Sequence, residues 1–246
     1  MNLISDDVLV SRDAARYVRN NRLLIQEKIL GSIETNASDK GCIHLYMAGS
    51  PGAGKTEISK ALVAELSQLV SGAIVRIDPD DIRMLLPGYK GENAHLFQNA
   101  VTIAVTHLLK QLYSIQVSFI LDGTLAAFDK AKHNIDQSLA CGATPFILYV
   151  YQEPGVAWKL TQAREKVEQR RILPDSFVSQ LFGCREVIKE LRGLYDNRIR
   201  VMAAVKDFTN PAETRFISDV GNIDEQVPIP YSREEVASFI ASGSWS

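Results

Sequence analysis

Gly49-Ser50-Pro51-Gly52-Ala53-Gly54-Lys55-Thr56 fits the pattern GxxxxGK[ST] in full. Glycines at this spacing let the backbone bend so that successive N–H groups face inward, toward phosphate oxygens. A helix starting at Gly54-Lys55 adds the positive end of its dipole. Lys55 is then placed to bridge the β- and γ-phosphates, and Thr56 to offer its hydroxyl to Mg²⁺. The plain alternative is a Gly-rich turn before an unrelated helix. Against it, a short apolar run precedes the stretch (Cys42 to Met47) and a helical pattern follows it (Lys55 to Val70). That is the order a phosphate cradle needs, so the stretch predicts binding of ATP.

Outward from the cradle, apolar runs alternate with helical patterns. Further runs fall at Ala73–Ile77, Val117–Leu121, Pro145–Tyr151 and Arg200–Val205, the last able to pair with Arg215–Ile217 across Asn210-Pro211. Between them lie helical stretches at Asn93–Tyr113, Phe128–Leu139 and Ala157–Leu194. Ser232 to Glu235 reads as a capping box ahead of a short last helix. Short buried strands alternating with helices predict an α/β fold of the P-loop type, with a mostly parallel five-stranded sheet covered on both faces. Such sheets bind ligands at the carboxyl ends of their strands. Upstream, residues 8–31 carry apolar positions at helical spacing up to Gly31, and 32–41 are polar and turn-rich. The expected organisation is a helical region and linker over 1–41, then a kinase-like domain over 42–246 with a lid near 157–175 and a C-terminal tail.

Two strand ends carry acids. Val117–Leu121 runs into Asp122, the form of a segment that holds Mg²⁺ beside the cradle; Asp122-Gly123 also reads as a simple turn. Ile77 runs into Asp78-Pro79-Asp80-Asp81, where Asp78 has the look of a helix N-cap with Pro at the first helical position. The three acids could serve only the helix dipole, or one could face the γ-phosphate as general base. The residues alone leave both readings open.

Arg164, Arg170 and Arg171 fall in TQAREKVEQRRILP, between the fourth and fifth strands. In one continuous helix Arg164 and Arg171 share a face, from which two guanidinium groups would close over a transferring phosphoryl group. The bland reading is a solvated face with Arg164 and Glu168 as an i,i+4 pair. His44, within a strand, reads as structural, His95 and His107 lack metal-ligand spacing, and Trp158 reads as packing.

Lys and Arg number 27 and Asp and Glu 29, a formal net charge of −2, which speaks against a polyanion partner. Cys42, Cys141 and Cys184 are widely spaced, which argues against a disulfide framework or a zinc site and for a reducing compartment. The acidic first residues do not suit a signal peptide, and no apolar run suits a membrane span, so a cytoplasmic protein is expected.

Taken together, GSPGAGKT (Gly49–Thr56), IDPDDIR (Ile77–Arg83), ILDGT (Ile120–Thr124), TQAR (ending at Arg164) and RRILP (Arg170–Pro174) resemble the zeta toxins of bacterial toxin–antitoxin systems in kind and order. The resemblance implies a kinase for the amino-sugar hydroxyl of UDP-N-acetylglucosamine. It also implies Asp80 as the base, Lys55 on the γ-phosphate, Arg164 and Arg171 in the lid, and Asp80 and Thr124 toward the acceptor. A small helical antitoxin that docks near residues 8–31 comes with it. Two departures stand out. The strand-three acid, usually Glu, is Asp122, and the helix before it carries no acid near Thr106 where the family contacts the sugar nucleotide. The acceptor is therefore left open between a nucleotide sugar, another metabolite and a nucleic-acid end. A nucleotide-dependent switch without an acceptor is the other class of reading, weakened by the lack of NKxD and LSGGQ-type motifs.

Overall fold

The computed structural model describes residues 6–31, 42–69, 73–207 and 213–245. The expected linker at 32–41 and the turn at Asn210-Pro211 lie outside them. Strand β1 (Ile43–Ala48) leads through the Gly-rich stretch into helix α3 (Lys55–Leu69). After β2 (Ile74–Ile77) come the short helix α4 (Pro79–Met84), a 3-10 turn (Ala94–Phe97) and α5 (Gln98–Ser114). Then follow β3 (Ser118–Leu121), α6 (Phe128–Ala140), β4 (Thr144–Tyr151), α7 (Pro154–Glu168) and α8 (Pro174–Tyr195). The chain continues as β5 (Arg200–Lys206), β6 (Thr214–Ile217), α9 (Ile223–Gln226) and α10 (Arg233–Ser242).

The strands form one sheet in the order β2-β3-β1-β4-β5-β6. Every pairing is parallel except β5 with β6. The sheet thus has six strands, not five: the Arg215–Ile217 run, expected only as a possible partner for the fifth strand, is a strand in its own right. From β1 the chain winds toward β3 and β2 on one side and toward β4 and β5 on the other, which makes the carboxyl end of β1 the switch point where such sheets open a crevice.

Alternate residues of the strands pack on opposite faces. Tyr46, Ile77, Phe119, Ile147 and Val201 meet the helices of one face; Leu45, Met47, Ile120 and Leu148 lie under α3 on the other. Each fully buried side chain of this size is worth about 1.5–3 kcal/mol, so the two layers hold the strand ends firmly in register. His44 is structural, as expected: it stacks on Phe119 at 4.2 Å between ring centroids, with Nδ1 2.8 Å from Ser138 Oγ. Trp158 packs edge-on to Phe177, tying α7 to α8.

The N-terminal pattern is a helical pair, α1 (Asp6–Asn20) and α2 (Arg22–Leu30), ended by Gly31 at φ 61°. Ala14, Ala15 and Val18 are the buried residues of α1, which packs along α5. Val8, Val10, Leu23 and Leu24 stay exposed. The helical stretch expected over Ala157–Leu194 is two helices, not one. Gln169 takes φ 58° and ends α7, and Leu173 is extended before Pro174, which starts α8 at its first position. Among the described residues no helix is long and apolar enough to cross a membrane.

Candidate active site

The cradle has the backbone its glycines allow. Gly52 has φ 72° and Gly54 φ 86°, a region L side chains rarely enter. There is also no room for one: a Cβ on Gly52 would run into the Ala157 carbonyl oxygen of α7, and a Cβ on Gly54 into Lys206 Nζ. Helix α3 starts at Lys55, so the N–H groups of its first turn have no helical acceptors and lie open to an anion. Lys55 Nζ donates to the carbonyl oxygens of Gly49 (3.0 Å) and Ser50 (2.7 Å). Burial lowers its pKa to about 8, against the charge of Asp122, which raises it. Gly49 N–H donates to the Thr124 carbonyl at 3.3 Å, tying the cradle to the segment after β3.

Strand order brings the acids to this rim. Ile77 and Tyr46 both stand opposite Leu121, so Asp78 and Asp122 follow on neighbouring strand ends. Asp122 is buried, and its Oδ2 accepts from Ser59 Oγ (2.8 Å) and Arg76 (2.7 Å). Ser59 Oγ also lies 3.0 Å from the Thr56 carbonyl, linking Asp122 to the first turn of α3. Asp78 is the expected N-cap: Oδ1 accepts from Asp80 N–H at 2.8 Å, and Pro79 opens α4. Its other oxygen accepts from Arg76. Burial pushes the Asp78 carboxyl up to about 6, helped by the charges of Asp122 and Asp80 and opposed by the Asp80 N–H and by Arg76. Asp81 is exposed and reaches only Arg76, at 2.9 Å.

Asp80 lies where the guanidinium groups converge. It accepts from Arg83 on one oxygen and from Arg170 on the other, with Arg164 at 3.4 Å. Arg83 is buried, donates also to Gln98 at 2.6 Å and leaves its Nε without a partner. Arg164 makes the i,i+4 pair, its Nε donating to Glu168 at 2.8 Å, while another nitrogen faces Asp80. The shared face expected for Arg164 and Arg171 does not form, because the helix ends at Glu168 and turns at Gln169. Arg170 takes the inward place and Arg171 is exposed.

Arg76 and Ser59 are rim residues outside the quoted motifs, and Arg83 closes the IDPDDIR stretch with no role assigned to it there. Arg76 had a signal: it is the one charge in an otherwise apolar strand, and a buried charge calls for partners. Arg83 and Ser59 become meaningful only once α4 and α3 are placed. Among the described residues no group of three or more His, Cys, Asp or Glu could hold a metal by itself. The donor set at hand, one hydroxyl and one strand-end carboxylate, suits an ion that takes its remaining ligands from phosphates and water.

A family model described as zeta toxin matches residues 27–217. Among solved structures, one from the PezAT toxin–antitoxin system of Streptococcus pneumoniae is 19% identical, with 100% of this chain and 92% of that chain covered at a TM-score of 0.59. The AvrRxo1-ORF1:-ORF2 complex solved with ATP is 12% identical, with 91% and 72% covered at a TM-score of 0.58. At such identities the likeness speaks for the fold. No curated protein sequence matches the chain.

Proposed function

The chain belongs to the zeta toxin family, and from that premise we propose that it is an ATP-dependent kinase that passes the γ-phosphoryl group to a hydroxyl of a small metabolite. A nucleotide sugar such as UDP-N-acetylglucosamine is the first acceptor to test. The observation that carries the proposal is convergence at one rim: the Lys55 cradle, the strand-end Asp122, and Asp80 beneath Arg164 and Arg170. Residues 49–56 wrap the phosphates, and Lys55 leaves its carbonyl partners for the β- and γ-oxygens. Thr56 and Asp122 would hold Mg²⁺, which when bound would supply neutralisation of the phosphate charge. Asp80 orients the acceptor hydroxyl and takes its proton, with Thr124 beside the cradle as an acceptor contact. Arg164 and Arg170 neutralise the charge that spreads over the transferring group, as a lid.

Helix α5 carries no carboxylate from Gln98 to Ser114, so the acid that the family uses toward the sugar nucleotide has no counterpart there. The acceptor panel therefore includes nucleosides and oligonucleotide ends. Exposed Val8, Val10, Leu23 and Leu24 on α1 and α2 suit a small helical antitoxin as partner. The test is transfer of label from γ-labelled ATP across the panel, with Lys55→Ala and Asp80→Asn alongside. We expect Lys55→Ala to lose ATP binding, and Asp80→Asn to keep ATP binding while transfer drops by about 10²–10⁴-fold. If no acceptor is labelled, or if Asp80→Asn hydrolyses ATP like the wild type and never had a phosphorylated product to lose, the switch reading replaces this one.

A further inference from the structure

The rim is lopsided. Asp78, Asp80, Asp81 and Asp122 gather on the β3–β2 side of the cradle, while from the β4–β5 side Lys206 reaches in. Lys206 is the last residue of β5, and Val205 stands opposite Tyr151 in the parallel register with β4, so Lys206 comes off the same carboxyl edge as the cradle. Its side chain crosses back over β4, and its ammonium fills the space a Cβ on Gly54 would take. Gly54 is the last glycine before α3, where free backbone N–H groups face the anion. Glu57 Oε2 borders the same space. No ion pair joins Lys206 to a carboxylate among the described residues.

We infer that Lys206 is a nucleotide-binding residue that contacts the α-phosphate and so fixes which way the triphosphate runs through the cradle. The inference rests on the kinase reading and deepens it. An ammonium on a flexible stem, at the mouth of a phosphate site and without a carboxylate partner, is a strong donor to a phosphate oxygen. With the acids, Arg164 and Arg170 on the opposite side, the γ-phosphate belongs toward Asp80 and the nucleoside end toward β5. Lys206 then meets the α-phosphate, which ATP and ADP both carry, and Lys55 the β- and γ-phosphates.

Titration calorimetry with ATP and with ADP tests this on the full chain, using Lys206→Gln, Lys206→Arg and Lys55→Ala. Lys206→Gln should weaken ATP and ADP alike, by about tenfold, the value of one charge-assisted hydrogen bond. Lys206→Arg, which keeps the charge, should stay within about threefold of wild type. Lys55→Ala should weaken ATP more than ADP. If Lys206→Gln binds ADP as the wild type does, or if only ATP suffers, the inference is wrong while the kinase reading stands. If Lys55→Ala also binds ATP unchanged, the cradle itself is misread and both fall together. The Arg variant separates lost charge from lost packing: equal weakening by Gln and Arg overturns the inference too.

Discussion

Replacing Arg76 with Met is the sharpest probe of how the rim is held. Arg76 joins Asp78 and Asp122, whose side chains are 8% and 3% exposed against 11% for its own. Its third partner, Asp81, is 59% exposed and contributes little. Removing one partner of a buried ion pair leaves an uncompensated charge, at a cost of about 3–5 kcal/mol. Here two carboxylates lose their cation at once, and for Asp78 the loss depends on pH. Asp78 already has its pKa raised from 3.8 to about 6, so the folded state holds that proton more tightly than the unfolded chain. Its ionisation therefore subtracts stability as pH rises through that window. Without Arg76 its pKa goes higher still. At pH 5 Asp78 is largely neutral in both proteins and its share of the penalty vanishes; at pH 7.5 it is charged in the wild type and forced to choose in the variant. Urea denaturation should show Arg76→Met less stable by about 4 kcal/mol at pH 7.5 and by about half that at pH 5. A deficit equal at both pH values, or under about 1 kcal/mol at pH 7.5, would refute the account of Arg76 as a buried counter-ion.

Two further outcomes follow from the same geometry. Burial lowers the His44 pKa from 6.5 to about 4, so its contribution is intact above pH 6.5 and is lost as pH falls toward 4, by about 3 kcal/mol in all; His44→Phe should flatten that part of a stability–pH curve measured by denaturation. In phosphoryl transfer, Arg170→Ala should cut kcat/KM by about 10²-fold, as for loss of a group that meets developing charge, while Arg171→Ala leaves it nearly unchanged. The opposite ranking would mean that the 169–173 turn re-registers on closing and returns Arg171 to the face it was expected to share with Arg164.

The parts legible in the sequence were those set by local chemistry. GxxxxGK[ST] fixes a loop, a helix start and a strand before it, and the Asp78-Pro79 cap and the Ser232–Glu235 box form as their residues demand. What periodicity could not see was a single backbone residue. Gln169 is an ordinary helix former, yet its left-handed φ breaks the α7–α8 stretch and exchanges Arg171 for Arg170 at Asp80. Gly91 shows the tertiary reason: at φ 74° it packs against the Glu168 carbonyl and Gln169, so a contact from a segment seventy-odd residues upstream shapes that turn. Residues such as Arg76 and Lys206 gain meaning only from strand order, which no local pattern encodes.

The charges at the rim make the binding order intelligible. Asp78, Asp80, Asp81 and Asp122 face Arg76, Arg83, Arg164, Arg170 and Lys55, so the acids are already matched by cations held on rigid elements or on the α7–α8 turn. An acid gripped by three guanidinium groups has both oxygens occupied, so an acceptor hydroxyl reaches it only when some of those contacts are released. Two of the three grips on Asp80, from Arg164 and Arg170, come from the segment that a γ-phosphate would draw away, and the third, Arg83, comes from its own helix and stays. On the proposed reading a bound triphosphate therefore does two things with one movement: it takes the lid arginines for its own charge and leaves Asp80 free to receive an acceptor hydroxyl. Access of an acceptor to Asp80 then depends on nucleotide occupancy, through the end of α7 that carries Arg164 and the turn that carries Arg170.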